Sequence, residues 1–187
     1  MHDTLNPLIW ESEDKIKTEI RKILLMNAMR FIEFCDAENL KFNDIILTGS
    51  LANYNYNENS DLDVHVILDF SQISENKEFV GDFFKLKKQL WADKLPIQVK
   101  GHDVEMYFQD SIEPHHSSGT YSLFRDRWIK KPTKKIININ SGDVQLKAAD
   151  LMNVIDDLEN YKNKESFIKR HDALKNKIKK YRQTGLS

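Results

Sequence analysis

Two aspartates separated by one residue, Asp61 and Asp63, lie in a segment whose apolar and polar residues alternate. On a β-strand this spacing puts both carboxylates on one face, about 7 Å apart at the backbone, so both can reach one metal ion or a pair of ions. Glu105, in a later strand-like run, is placed to supply a third carboxylate, with Asp103 on the same face as its rival. Hard oxygen ligands of this kind suit Mg²⁺, with Mn²⁺ as a substitute, and such sites share the ion with substrate phosphates.

A Gly-Ser pair precedes the two aspartates. Gly49 and Ser50 follow a short apolar run and stand before a predicted short helix over residues 51–53. Backbone N–H groups and the Ser50 hydroxyl can hold phosphate oxygens at such a turn. We assign Ser60, which directly precedes Asp61, to the same nucleotide-binding set. Beside a magnesium site, these residues predict a nucleoside triphosphate as the substrate.

Aromatic, hydroxyl and basic side chains further along the chain offer additional contacts. Tyr121 could stack on a nucleobase and Ser122 could bind the ribose or base, with plain core packing as the alternative for Tyr121. His65 shares the face of the two aspartates and could touch phosphates, or it is a half-buried surface imidazole. No Cys or His cluster with zinc-ligand spacing is present. Four basic residues could contact phosphates or an RNA backbone, or form a solvated face: Arg125, Arg127, Lys130 and Lys131.

A sheet with flanking helices is needed to position these residues, and the sequence patterns predict one. Apolar residues at three- and four-residue spacing predict helices over 12–35, 74–94, 144–159 and 166–181. Short apolar or alternating runs predict strands over 45–47, 61–69, 97–99, 104–108 and 136–139, with a hairpin turn at Gly101. Residues 111–132 are predicted to be loop. The fold class is therefore α/β or α+β, a small mixed β-sheet flanked by helices with a C-terminal helical hairpin.

The composition is that of a globular protein rather than a disordered or fibrous one. The chain has 187 residues, of which 40% are hydrophobic and 30% charged, and it is long enough to bury a core. Its net charge of −1 implies no polyanionic partner for the chain as a whole, although the last helix is strongly basic. We expect one domain over residues 1–140 and a helical hairpin, packed on it or appended, over 141–187. One cysteine and no apolar leader or span lead us to expect a cytoplasmic protein with no membrane partner.

Taken in order, these motifs resemble the signature of the DNA polymerase β-like nucleotidyltransferase superfamily. The run Leu47 to Ser50 is followed, after ten residues, by Asp61 to Val64 and later by Val104 to Met106. Most of residues 5–132 also looks like a small, largely uncharacterised group of such proteins encoded by tailed phages and bacteria. That group has no agreed substrate, so the resemblance indicates the type of reaction but not the biological substrate.

The resemblance implies a nucleotidyltransferase fold and transfer of a nucleoside monophosphate from a triphosphate such as ATP to a hydroxyl, with release of pyrophosphate. Asp61 and Asp63 would ligate both metal ions, Glu105 would ligate the ion that activates the hydroxyl, and Gly49 and Ser50 would hold the β- and γ-phosphates. The acceptor is an RNA end such as that of tRNA, a protein side chain or a small molecule. The alternative is a non-catalytic module of the same fold that binds nucleotide or nucleic acid. The base and the oligomeric state are not predicted.

Overall fold

Residues 2–115, 117–134, 141–159 and 164–184 are described by a computed structural model of the chain. The strands are β1 (Trp10–Ser12), β2 (Lys15–Ile16), β3 (Phe42–Thr48), β4 (Leu62–Leu68), β5 (Gln98–Val99), β6 (His102–Asp110), β7 (Thr120–Ser122) and β8 (Arg127–Lys130). The helices are α1 (Thr18–Phe34), α2 (Lys77–Lys94), α3 (Ser141–Glu159) and α4 (Lys164–Thr184). The chain divides into two compact units, Met1–Lys134 and Lys135–Ser187.

The first unit is built on a six-stranded sheet with the strand order β5-β6-β4-β3-β7-β8. Strands β4 and β6 are parallel, and the other neighbouring strands are antiparallel. A parallel pair requires a crossover connection, which α2 supplies between β4 and β6. The predicted hairpin at Gly101 is present as the β5–β6 pair. The structure therefore confirms the predicted α+β fold with a mixed sheet and flanking helices.

Helices α1 and α2 cover one face of this sheet because each has an apolar stripe. The rings of Phe31 on α1 and Phe84 on α2 both contact Phe108 of β6, with centroids 5.1 Å and 4.1 Å apart. The period of two along a strand sends every second residue of β4 and β6 into this core and leaves the others on the opposite face. The buried strand residues include Leu62, Val64, Val66 and Met106.

Both long helices begin later than the sequence pattern predicts. Helix α1 starts at Thr18 rather than near residue 12, because Trp10 and Ile16 pair across the small β1–β2 hairpin. Helix α2 starts at Lys77 rather than residue 74, because the Asn76 side chain accepts a hydrogen bond from the Phe79 N–H at 3.1 Å and caps the helix. The apolar spacing extends past these starts and does not mark them.

The prediction of a loop over residues 111–132 is wrong for part of that range. Strands β7 and β8 form a hairpin there, and β7 pairs with β3 through Leu47 and Tyr121. The turn contains Asp126 with a φ of 54°, a left-handed conformation that aspartate tolerates better than most residues. Strands of three and four residues are too short to show a periodic pattern. The strand predicted over 136–139 lies outside the described residues.

The second unit contains the predicted C-terminal helices. Helices α3 and α4 contact each other, and Leu158 and Leu174 are buried apolar residues of this pair. Over the described residues, no helix has an apolar stretch long enough to cross a bilayer.

Candidate active site

The parallel pairing of β4 with β6 puts polar residues side by side on the face opposite the helices. Asp63 is the register partner of Glu105, and His65 is the partner of Tyr107. Asp61 stands one residue before β4 and, by the period of two, continues the same row. The structure thus brings two acids that are 42 positions apart in sequence to neighbouring positions on adjacent strands.

Negative charge is concentrated at this end of the two strands. Burial raises the pKa of Asp61 above its usual value, and the nearby charges of Glu105 and Asp103 raise it further. Asp103 also accepts a hydrogen bond from the Gln98 side chain at 2.8 Å. Glu105, rather than Asp103, is level with Asp63 across the ladder, which favours Glu105 as the third carboxylate of the set.

Glu105 has two partners that are not among the predicted site residues, Lys88 and Tyr107. Its Oε2 accepts hydrogen bonds from the Lys88 ammonium group at 2.9 Å and from the Tyr107 hydroxyl. The Lys88 ammonium also lies 3.4 Å from the centroid of the Tyr107 ring. Partial burial would raise the pKa of Glu105, but these two hydrogen bonds outweigh burial and the pKa lies below its usual value. The carboxylate is therefore ionised at neutral pH.

The turn after β3 places Gly49 directly against Asp63. Gly49 has a φ of 77°, and a Cβ atom added to it would overlap the Asp63 carboxylate. Ser50 follows and begins a single turn of 3₁₀ helix, Ser50–Ala52, in place of the helix predicted over 51–53. Only glycine allows the backbone to approach this carboxylate so closely, so the predicted phosphate turn and the predicted acids are adjacent in space.

Ser60 is held between a loop and the start of β6. Its hydroxyl accepts a hydrogen bond from the Asn57 N–H at 2.9 Å, and its carbonyl accepts one from Nδ1 of the buried His102 at 2.7 Å. Nε2 of the same ring lies 3.2 Å from the Asn6 side-chain amide. The residue before Asp61 is thereby tied to β6 and to the N-terminal segment. Neither His102 nor Asn6 is among the predicted site residues.

Tyr121 and Ser122, the predicted contacts to the nucleotide, lie in the core. The Tyr121 ring packs edge-on against both Trp10 and Trp128, and its hydroxyl donates to Asp126 at 2.9 Å. The Ser122 hydroxyl donates to Asp44 at 2.7 Å, and both residues are fully buried. Core packing, the alternative for Tyr121, accounts for its position, because β7 lies inside the sheet rather than in a surface loop. That Tyr121 and Ser122 contact the nucleotide stays a prediction.

The remaining candidates have structural partners. Nδ1 of His65 donates to Oε1 of Gln109 at 2.8 Å, and burial lowers the pKa of the ring. Among the basic residues, Arg125 donates to the Asn43 carbonyl at 3.2 Å and Lys130 to the Ser117 carbonyl at 3.1 Å. Arg125 thus contacts strand β3, and Lys130 contacts the segment before β7.

The donor set of the acidic face fits a divalent cation by its chemistry. Asp61, Asp63 and Glu105 offer hard carboxylate oxygens. Burial raises the pKa of Asp61, and the charge of Glu105 raises it further; a bound cation would relieve that repulsion. As the side chains stand, however, no group of three or more metal-binding residues converges anywhere in the described part of the chain. Oε2 of Glu105 is engaged instead by Lys88 and Tyr107.

Comparison with known proteins supports the predicted nucleotidyltransferase fold. The family model described as "Nucleotidyltransferase domain" matches residues 28–126, which is more than half of the chain and contains both aspartates and Glu105. No curated protein and no solved structure matches the chain. The resemblance to the tailed-phage and bacterial group is not shown by these comparisons. The mixed sheet, the acidic face and the matched family agree, and the chain belongs to the nucleotidyltransferase domain family.

Proposed function

We propose that this protein transfers a nucleoside monophosphate from a nucleoside triphosphate to a hydroxyl group and releases pyrophosphate. The observation that carries the proposal is the pairing of Asp63 with Glu105 across two parallel strands, with Gly49 in contact with Asp63. Acids and a close-packed glycine turn are the two parts that nucleotidyl transfer needs, because the reaction depends on positioning and on stabilising charge.

Asp61, Asp63 and Glu105 would hold the divalent cations, Mg²⁺ or Mn²⁺. When bound, such cations lower the pKa of the attacking hydroxyl and neutralise charge on the leaving oxygens. The turn at Gly49 and Ser50 would hold the β- and γ-phosphates through backbone N–H groups and the Ser50 hydroxyl. Ser60 contributes by ordering the loop before Asp61, through its bonds to Asn57 and His102.

The acceptor class stays open among three chemistries: an RNA end such as that of tRNA, a protein side chain or a small molecule. The basic helix α4 is the feature that favours nucleic acid, with lysines at 164, 169, 175, 177, 179 and 180. We propose ATP as one of the triphosphates to test, and a cytoplasmic setting for the reaction.

A second function, a nucleotide- or nucleic-acid-binding module without turnover, is favoured by one contact. Lys88 neutralises Glu105, the acid that a working site needs for its cation. A binding module would retain nucleotide affinity without forming product, so turnover separates the two proposals.

The test offers each α-labelled nucleoside triphosphate to the full-length protein with Mg²⁺ or Mn²⁺ and a cell lysate. Label is then followed into nuclease-sensitive, protease-sensitive and small-molecule fractions. We expect transfer from the α-labelled substrate and none from the γ-labelled one, because pyrophosphate leaves. The Asp61→Ala/Asp63→Ala variant should lose transfer, whereas Asp82→Ala, which removes an exposed acid of α2 paired with Lys85, should keep it. Transfer that persists without Asp61 and Asp63 would overturn the proposed site.

A further inference from the structure

The side chain of Lys88 on α2 reaches the acidic face of the sheet, where it donates a hydrogen bond to Glu105. The helix packs on the other side of the sheet, where Phe84, one turn earlier, stacks on Phe108. Beyond its first residues, β6 has only β4 as a strand neighbour among the described residues, so this edge is open. The Lys88 side chain therefore passes this edge to place its ammonium group 2.9 Å from the Glu105 carboxylate.

This ion pair is better organised than an ordinary surface pair. The Lys88 side chain is 27% exposed, compared with 76% for Lys85, which pairs with Asp82 on the same helix. Lys88 also packs on the Tyr107 ring, and the Tyr107 hydroxyl donates to the same oxygen, Oε2, that accepts from Lys88. Lys88 and Tyr107 thus both donate a hydrogen bond to the same carboxylate oxygen of Glu105.

A divalent cation bound through Oε2, or through both carboxylate oxygens of Glu105, would need the lone pairs that these two donors use. A carboxylate oxygen that accepts two hydrogen bonds has little capacity left for a metal ion. The ammonium group would also repel a cation placed beside it, by an amount that depends on the local dielectric. Binding of the cation to Glu105 therefore disfavours the Lys88–Glu105 contact, and that contact disfavours binding of the cation.

We propose that Lys88 competes with a divalent cation for Glu105, so that the cation binds only as Lys88 gives up the carboxylate. The inference rests on the proposed function, because it takes Glu105 to be a cation ligand. Lys88 is in this view a positioning residue. It holds Oε2 of Glu105 and lowers the affinity of the acidic face for the metal.

The test measures Mn²⁺ binding to the full-length protein by titration calorimetry or by water-proton relaxation, without substrate or turnover. Lys88→Met, which keeps the aliphatic stem and removes the charge, should bind Mn²⁺ about 3- to 10-fold more tightly, the range expected for loss of one partly buried ion pair. Lys88→Arg should restore affinity close to that of the wild type. The matched control, Lys85→Met, should change affinity less than about 2-fold, because Lys85 is exposed and pairs elsewhere.

A double-mutant cycle separates this competition from general charge repulsion. In a Glu105→Gln background, Lys88→Met should no longer tighten Mn²⁺ binding, since the competing carboxylate is gone. Tyr107→Phe, which removes the second hydrogen bond to Oε2, should tighten binding less than Lys88→Met does.

Three results would overturn the proposal in distinguishable ways. If the wild type binds Mn²⁺ and Lys88→Met binds no more tightly, Lys88 does not compete and the proposed function is untouched. An equal gain in the Glu105→Gln background would assign the effect to charge alone. If neither the wild type nor Lys88→Met binds Mn²⁺, the metal site of the proposed function fails together with this inference.

Discussion

The ionised form of the Asp61 side chain is disfavoured by burial and by two neighbouring acids. Its pKa is raised by that burial and by Glu105 and Asp103. A carboxyl group whose pKa is higher in the folded state than in the unfolded state reduces stability once the pH is above both values, and the penalty disappears as the pH falls below them. An acid kept at such a position costs stability, which is common where side chains serve function.

Replacement of Asp61 by asparagine should therefore stabilise the fold at neutral pH. We expect Asp61→Asn to raise the free energy of unfolding by about 0.5 kcal/mol, a modest value because the residue is partly exposed. Nucleotidyl transfer should be lost in the same variant. Thermal unfolding at pH 7.5 and at pH 3.5 checks this, since the gain should shrink at the lower pH. An Asp61→Asn protein that is less stable than the wild type would contradict the electrostatic argument.

Gly49 allows a second test at a single position. Gly49→Ala adds a methyl group that overlaps the Asp63 carboxylate, in a backbone with a φ of 77°. Gly101 has a similar φ of 85° but no atom within 4 Å of an added Cβ, so Gly101→Ala carries the backbone strain alone. That strain costs about 1–2 kcal/mol.

We expect both alanine variants to lose stability in urea unfolding, with the larger loss for Gly49→Ala. Only Gly49→Ala should abolish transfer, because it alone displaces Asp63. Equal activity in the two variants would show that the approach of Gly49 to Asp63 is not needed for the reaction.

The spacing of the acids was readable from the sequence, but their partners were not. Asp61 and Asp63 stand out because alternation on a strand is a local pattern, and the parallel pairing then makes Glu105 the neighbour of Asp63. Lys88 could not be found in this way, because its reach depends on how α2 packs on the sheet. Tyr107 did carry a signal, since it follows Glu105 by two residues and so shares its face.

At the scale of the elements, His102 joins three segments that lie far apart in the sequence. Its buried ring bonds the Ser60 carbonyl before β4 and the Asn6 amide of the N-terminal segment, while its own backbone begins β6. The two ring nitrogens make both bonds at once, one as a donor to the carbonyl. The ring thus fixes the loop that leads into Asp61.

Replacement of His102 by phenylalanine should loosen this junction. Two polar groups would be left without partners, and each buried unsatisfied group costs about 1–3 kcal/mol. We expect a lower urea midpoint for His102→Phe, together with reduced Mn²⁺ affinity as Asp61 becomes less well held. The exposed His115 provides the control, and His115→Phe should match the wild type in both measurements. An unchanged midpoint for His102→Phe would show that the junction contributes little.

The long elements and the β5–β6 hairpin were predicted well, whereas the β1–β2 and β7–β8 hairpins were not. Helices α1 and α2 have continuous apolar stripes, so their existence follows from the sequence, whereas their starts depend on the β1–β2 hairpin and on the Asn76 cap. The β7–β8 hairpin escaped prediction because its strands are stabilised by pairing with β3 and by the packing of Tyr121, which are non-local contacts.

At the scale of the whole molecule, the first unit contains all the parts of the proposed site. The matched family region, residues 28–126, lies within Met1–Lys134, and so does the main hydrophobic core of the described residues. The second unit holds the basic helix α4, whose lysines leave nucleic acid as the favoured acceptor to test. The division of the chain into a domain over 1–140 and a hairpin over 141–187 stays a prediction.

The central claim is that Asp61, Asp63 and Glu105 act together on a metal-bound triphosphate beside Gly49. A crystal structure with Mn²⁺ and a triphosphate analogue that resists cleavage at the α-phosphate tests it most directly, because anomalous scattering locates the ion. We predict manganese bound by all three carboxylates, the phosphates against the turn at Gly49 and Ser50, and Glu105 released from Lys88. Manganese bound elsewhere, or nucleotide bound with Glu105 still paired to Lys88, would contradict the account.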